Sequence, residues 1–270
     1  MRISGIEHLP VRGVMTGLEV QGDGNGVMLL HGFPLDRSMW RDLMGMLSGW
    51  RRVAPDLRGL GKSDAPQTGY SMADYADDQA ALLDLLEIDR AVICGLSMGG
   101  YVAFEFLRRH PDRVSGLVLL NTRADADSEE GKANRDDMIA SVRSEGVGIL
   151  ESLMLHRLLA PTSLASIPQL GERLRAMIQG HTEVGVVGAL EAMKARNDAT
   201  ELLSHIDVPT LVVCGKEDQL IPLASSQALA SAIPGAQFTV IADAGHLTPM
   251  EQPVETGRVI REFLESLSVT

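Results

Sequence analysis

The sequence has only two cysteines, Cys94 and Cys214, in 270 residues. That is too few for a disulfide-stapled scaffold or a zinc cluster built on thiolates. It is also short of positive charge: 24 Lys and Arg stand against 36 Asp and Glu, a formal net charge of −12. Such a balance argues against a nucleic-acid partner, because phosphates reward cationic neutralisation. No apolar run approaches the roughly 18 residues that a bilayer-spanning helix requires, so no membrane partner is expected. Residues 1–13 are broken by polar, Gly and Pro residues too often to form the apolar core, about 7–15 residues long, of a secretory signal. No internal repeat or low-complexity tract interrupts the chain. What is present is apolar material for a sizeable core, 45% of residues. The expectation is a soluble, cytoplasmic protein of one domain or one domain with an insertion, monomer or homodimer.

Short apolar runs alternate with helical patterns. Val27–Leu30 reads as a buried strand after Gly22–Gly26, a stretch suited to a hairpin turn. A helix is expected from about Ser38 to Leu47, a strand at Arg52–Asp56, and a helix over Met72–Leu86. Strand Ala91–Cys94, helix Tyr101–Arg109 and strand Val114–Leu120 follow. Strands apolar on both faces and separated by helices predict a mostly parallel α/β sheet flanked by helices. From Thr122 to Ala199 no strand is evident, only helical periodicity as in Asp136–Ser144, Gly148–Leu159 and Leu170–Gln179. Alternation resumes with strand Thr210–Cys214, helix Leu223–Ala232, strand Gln237–Ile241 and helix Pro253–Leu267. Residues 1–121 and 200–270 therefore read as the α/β core, and 122–199 as a helical insertion.

Gly95-Leu96-Ser97-Met98-Gly99 is a G-x-S-x-G pattern lying between a strand and a helix. A turn that sharp strains the dihedrals of Ser97, exposes its hydroxyl at the carboxyl end of the sheet, and turns the N–H of Met98 to the same spot. A serine hydroxyl needs a base, and the base an orienting acid. Of the seven histidines, His246 follows the last strand on the same sheet edge as Ser97. His8, His110, His156, His181 and His205 read as structural or solvated. The acid should follow a strand and precede the histidine, and Gly215-Lys216-Glu217-Asp218-Gln219 offers two carboxylates. Asp243 reads as a loop-capping carboxylate. His31-Gly32-Phe33-Pro34 ends an earlier strand and can supply the N–H of Phe33 as a second oxyanion donor, with His31 shaping the loop.

HGFP at 31–34, DLRGLGKSD at 56–64, GLSMGG at 95–100, GKED at 215–218 and AGH at 244–246 together resemble the α/β-hydrolase family over essentially the whole chain. The resemblance implies an α/β-hydrolase fold with a catalytic order of Ser97, Asp218, His246, and with Glu217 as a solvated neighbour of the acid. It also implies that 122–199 is a cap, and that no metal or organic cofactor is used. HGFPLDRSMW, GLSMGGYVAFEF and LNTRADADS are similar to compact bacterial carboxylesterases of short acyl preference and to the 3-oxoadipate enol-lactonase group. Relatives with an aspartate nucleophile are excluded by Ser97.

Substrate contacts are expected from Phe33, Leu35 and Arg123, the last able to meet a carboxylate. Met154 and Met177 could line the pocket but read better as core. Asp56 and Arg58 read as a loop-bracing pair, and Asp125, Asp127, Glu129 and Glu130 as a solvated face that starts a helix. Cys94 and Cys214 read as strand filler. The function implied is hydrolysis of small carboxylic esters by water through an acyl-enzyme. Lactone hydrolysis, cofactor-free perhydrolysis or haloperoxidase chemistry, and a ligand receptor on the same fold are the alternatives. The −12 charge gives no long-range steering of a dianionic lactone, which favours neutral esters.

Overall fold

The computed structural model describes residues 5–267, so part of the N-terminal stretch weighed for a secretory signal lies outside it. Eight strands form a single sheet: β1 (Gly5–Val11), β2 (Val14–Gln21), β3 (Gly26–Leu30), β4 (Arg51–Pro55), β5 (Ala91–Leu96), β6 (Val114–Leu120), β7 (Thr210–Gly215) and β8 (Gln237–Ile241). Their order is β1-β2-β4-β3-β5-β6-β7-β8, with β1–β2 and β2–β4 antiparallel and every other pair parallel. Every residue of β3, β5 and β7 is buried, which requires cover on both faces. The predicted mostly parallel sheet flanked by helices is thus the observed one.

The unpredicted strands are β1 and β2. Both mix polar residues and glycine among the apolar ones, and β1 also holds a proline, as suits an edge strand with residues that meet solvent. Arg12 and Gly13, with φ of 45° and 80°, make the hairpin between them. The stretch Gly22–Gly26 is not a hairpin: it leads from β2 to β3, and β4 lies between those strands.

The sheet helices are α1 (Arg41–Met44), α2 (Met72–Leu85) and α3 (Met98–Arg109), with α2 packed on α3. Between β6 and β7 the chain forms α4 (Glu129–Glu145), α5 (Ile149–Leu158), α6 (Pro161–Ser166), α7 (Pro168–Gln179), α8 (Glu183–Lys194) and α9 (Thr200–Leu203). Helix α4 starts well before the predicted Asp136, because the Ser128 hydroxyl caps it by accepting from the Gly131 N–H at 3.1 Å. The C-terminal part adds α10 (Leu223–Ala232), α11 (Thr248–Glu251) and α12 (Pro253–Leu267), and α12 packs on α1. No helix of the described residues is long and apolar enough to cross a membrane.

Candidate active site

Ser97 stands between β5 and α3 at φ 53° and ψ −113°, the left-handed region that side chains avoid. Two glycines make the turn possible. A Cβ on Gly95 would lie 2.2 Å from the Gly99 carbonyl oxygen, and one on Gly99 would lie 2.2 Å from that of Leu30. The turn is held by the Ser97 N–H donating to the Leu120 carbonyl at 2.9 Å, while its own carbonyl accepts from the Thr122 hydroxyl at 2.8 Å.

Asp218 and His246 come together across 28 residues. Asp218 Oδ2 lies 2.8 Å from His246 Nδ1, and both side chains are buried. The same Oδ2 accepts from Asn121 Nδ2 at 2.8 Å, and Oδ1 accepts the N–H groups of Leu220 and Ile221 at 2.8 and 3.0 Å. Burial pushes the Asp218 carboxyl pKa up. His246, Asn121 and the Ile221 N–H outweigh it and hold the group below the ordinary carboxylate range. The remaining ring nitrogen, His246 Nε2, is buried and has no hydrogen-bond partner. Ser97 and His246 line one cavity of about 280 Å³.

Three residues that complete this arrangement escaped sequence reasoning. Asn121, at φ 47°, also donates to the Gly245 carbonyl at 3.2 Å and accepts from the Thr248 hydroxyl at 3.0 Å. Glu251 is buried and accepts the N–H groups of Ala160, Gly245 and Leu247 at 2.8, 3.0 and 2.9 Å, fixing the loop that carries His246. An asparagine directly after a strand was a usable signal for Asn121; Thr248 and Glu251 carried none.

Phe33 lines the cavity and precedes a cis peptide bond to Pro34, whereas Met98 is fully buried at the start of α3. His31 Nε2 accepts the Leu57 N–H at 2.9 Å, so the ring shapes the loop. Burial pushes its pKa down to about 4. Leu35 corrects an expectation: it is fully buried and absent from the cavity wall, because its side chain joins the core. Arg123 does reach the wall, but its guanidinium is engaged by Asp127 at 2.5 Å and Asp125 at 3.3 Å. Met154 lines the cavity, while Met177 is core.

Further corrections concern charges. Asp56 and Arg58 do not pair with each other: Asp56 takes Arg37, and Arg58 takes Asp78 at 2.7 and 2.8 Å. Asp127 is not solvated but buried among Arg123, Arg135 and Arg196, at 2.5, 2.5 and 2.8 Å. Burial raises its pKa, but Arg135 and Arg196 outweigh that and hold it below the ordinary range. Glu217 is half-buried and accepts from the Thr162 hydroxyl at 3.0 Å. The carboxylate of Asp243 caps nothing; that exposed residue serves the loop through a φ of 51°. Cys94 and Cys214 are buried thiols, and burial pushes Cys214 up to about 11.

Comparison with known proteins agrees with this geometry. The sequence pattern of the family described as alpha/beta hydrolase fold matches residues 26–253. The structure is similar to a thermophilic esterase from Thermogutta terrifontis solved with malate bound, at TM-score 0.94 and 40% identity over 98% of this chain and 99% of that one. It is also similar to the enol-lactonase from Burkholderia xenovorans LB400, at TM-score 0.89 and 29% identity over 96% of this chain and all of that one (100%). A 2-hydroxymuconate semialdehyde hydrolase of Pseudomonas sp. (strain CF600) is 31% identical over 268 residues, 93% of this chain and 91% of the relative.

Proposed function

The chain belongs to the alpha/beta hydrolase fold family, and on that premise we propose that it hydrolyses short-chain carboxylic esters through a serine acyl-enzyme. The observation that carries the reading is the His246 ring, with Nδ1 at 2.8 Å from Asp218 and Nε2 unpartnered beside the cavity that Ser97 lines. With Asp218 ionised, Nδ1 keeps its proton and Nε2 is the basic nitrogen. Nε2 takes the Ser97 proton as Oγ attacks the ester carbonyl, and Asp218 stabilises the imidazolium. The N–H groups of Phe33 and Met98 receive the oxyanion. The tetrahedral species collapses, His246 protonates the leaving alcohol, and the ester is now on Ser97. Water, deprotonated by the same nitrogen, attacks the acyl-enzyme and releases the acid. The helical segment 122–199 acts as a cap that limits acyl and alcohol size.

The 40% identical esterase supports the ester assignment, while the lactonase and the semialdehyde hydrolase define the rival substrates. A lactone is a cyclic ester that would pass through the same steps. The test is active-site labelling followed by a substrate series. A fluorophosphonate should label wild type but not Ser97→Ala, whose kcat falls by roughly 10⁴–10⁶. Absence of labelling in wild type rejects the hydrolase reading in favour of a receptor. kcat/KM over p-nitrophenyl esters should peak at short acyl chains. A far higher value for 3-oxoadipate enol-lactone moves the assignment to lactone hydrolysis.

A further inference from the structure

The wall of the catalytic cavity carries three guanidinium groups, Arg123, Arg135 and Arg157, and one carboxylate, Asp127, a formal excess of two positive charges in a chain of net charge −12. Two of the cations are committed. Arg123 and Arg135 each hold Asp127 at 2.5 Å, and the buried Arg196 holds it from behind at 2.8 Å while lying over the Tyr101 ring. Arg157 is not committed. Among the described arginines, the side chains of Arg41, Arg143 and Arg157 make no hydrogen bond or ion pair, and of these three Arg157 alone lines the catalytic cavity. It extends from the last turn of α5, on the insertion that faces Ser97. The same wall carries the flexible apolar side chains Met138, Met154 and Met193.

We propose that Arg157 is the recognition group for a free carboxylate on the substrate, so that the preferred esters are monoesters of dicarboxylic acids. This rests on the ester-hydrolase reading of the same site and adds the substrate class to it. The chemistry follows from the lining. A guanidinium offers a fork of donors matched to a carboxylate, and the methionines accommodate methylenes between that carboxylate and the scissile carbonyl. Asp127 already carries the ion-pair demand of Arg123 and Arg135, so a bound carboxylate would not compete with it. The overall negative charge does not oppose this at short range, because exposed charges are screened beyond about 8 Å at physiological ionic strength.

The experiment compares monoethyl esters of succinate, glutarate and adipate with the matching diethyl esters, in wild type, Arg157→Gln and Arg157→Glu. Wild type should prefer the best monoester over its neutral diester by about tenfold in kcat/KM, mainly through KM. Arg157→Gln should abolish that ratio, and Arg157→Glu should reverse it. A cation that only complements the end of α5 would leave the ratio unmoved, which overturns the proposal. So does a wild type that prefers the diesters, or an Arg157→Gln enzyme that loses both substrates equally. Turnover of no ester at all, neutral or acidic, would reject the ester reading together with this one.

Discussion

Asn121 shows how one side chain can set the geometry of the carboxylate proposed as the catalytic acid. Its amide donates to the same Asp218 Oδ2 that meets His246, and its left-handed backbone turns the chain out of β6. Asn121→Gly keeps that φ accessible and removes the amide, whereas Asn121→Ala removes the amide and adds strain. Both should lower kcat about tenfold with little change in KM, and both lose the buried bonds to Gly245 and Thr248, but Asn121→Ala should be less stable than Asn121→Gly by about 1 kcal/mol. Steady-state kinetics and urea unfolding separate the two effects. An Asn121→Gly enzyme with full kcat would show that the amide does not position Asp218.

Between β5 and α3, the close approach of backbone segments rather than any side chain limits substitution. A methyl on Gly99 meets the Leu30 carbonyl oxygen at 2.2 Å, and backbone cannot move aside as a flexible side chain can. Gly99→Ala should therefore cost at least about 3 kcal/mol in urea unfolding or prevent recovery of folded protein. Gly45, which ends α1 in right-handed helical conformation with open space around its Cβ position, provides the contrast. Gly45→Ala should stabilise by about 0.4–1 kcal/mol, because it restricts the unfolded chain at no steric cost. The same element-level reasoning explains what was legible. The strands buried on both faces were readable as apolar runs, but β1 and β2 were not, since polar residues and glycine break their apolar pattern.

For the whole molecule, two buried histidines fasten the loop after β3 to the loop after β4. His31 Nε2 accepts the Leu57 N–H at 2.9 Å and its Nδ1 lies 2.9 Å from the Gly32 carbonyl oxygen. His181, from the insertion, accepts the Gly61 N–H through Nδ1 at 3.0 Å, and its Nε2 lies 3.0 Å from the Pro34 carbonyl oxygen. Each ring therefore accepts at one nitrogen and donates at the other, which only the neutral form can do. Burial, the largest cause in both, lowers the pKa of His31 to about 4 and that of His181 below its ordinary value. In the unfolded chain both titrate near 6.5, so below that pH the unfolded state binds more protons and stability falls. The unfolding free energy from urea titration should be level above pH 7 and decline below about pH 6.5, by at most about 1.4 kcal/mol per pH unit for each histidine, the His31 share continuing toward pH 4. His181→Gln, which keeps one donor and one acceptor, should flatten part of that slope. An unfolding free energy that stays level down to pH 4.5 would show that neither ring is held neutral.

The sequence by itself determined the fold class, the strained serine turn and the candidates Ser97 and His246, because those depend on local pattern: apolar runs, glycines beside a serine, and short motifs after strands; of the two carboxylates at 217 and 218, it was the family resemblance that pointed to Asp218. Only the tertiary structure decided how charge is distributed around them. Asp127 looked solvated and is buried among three arginines, while Arg123, the expected carboxylate contact, is occupied and Arg157 is free. The reason is physical. Whether a charge is spent on a neighbour or left for a ligand depends on contacts between segments distant in the chain. A net charge of −12 sums over the whole molecule and says nothing of the sign inside one cavity.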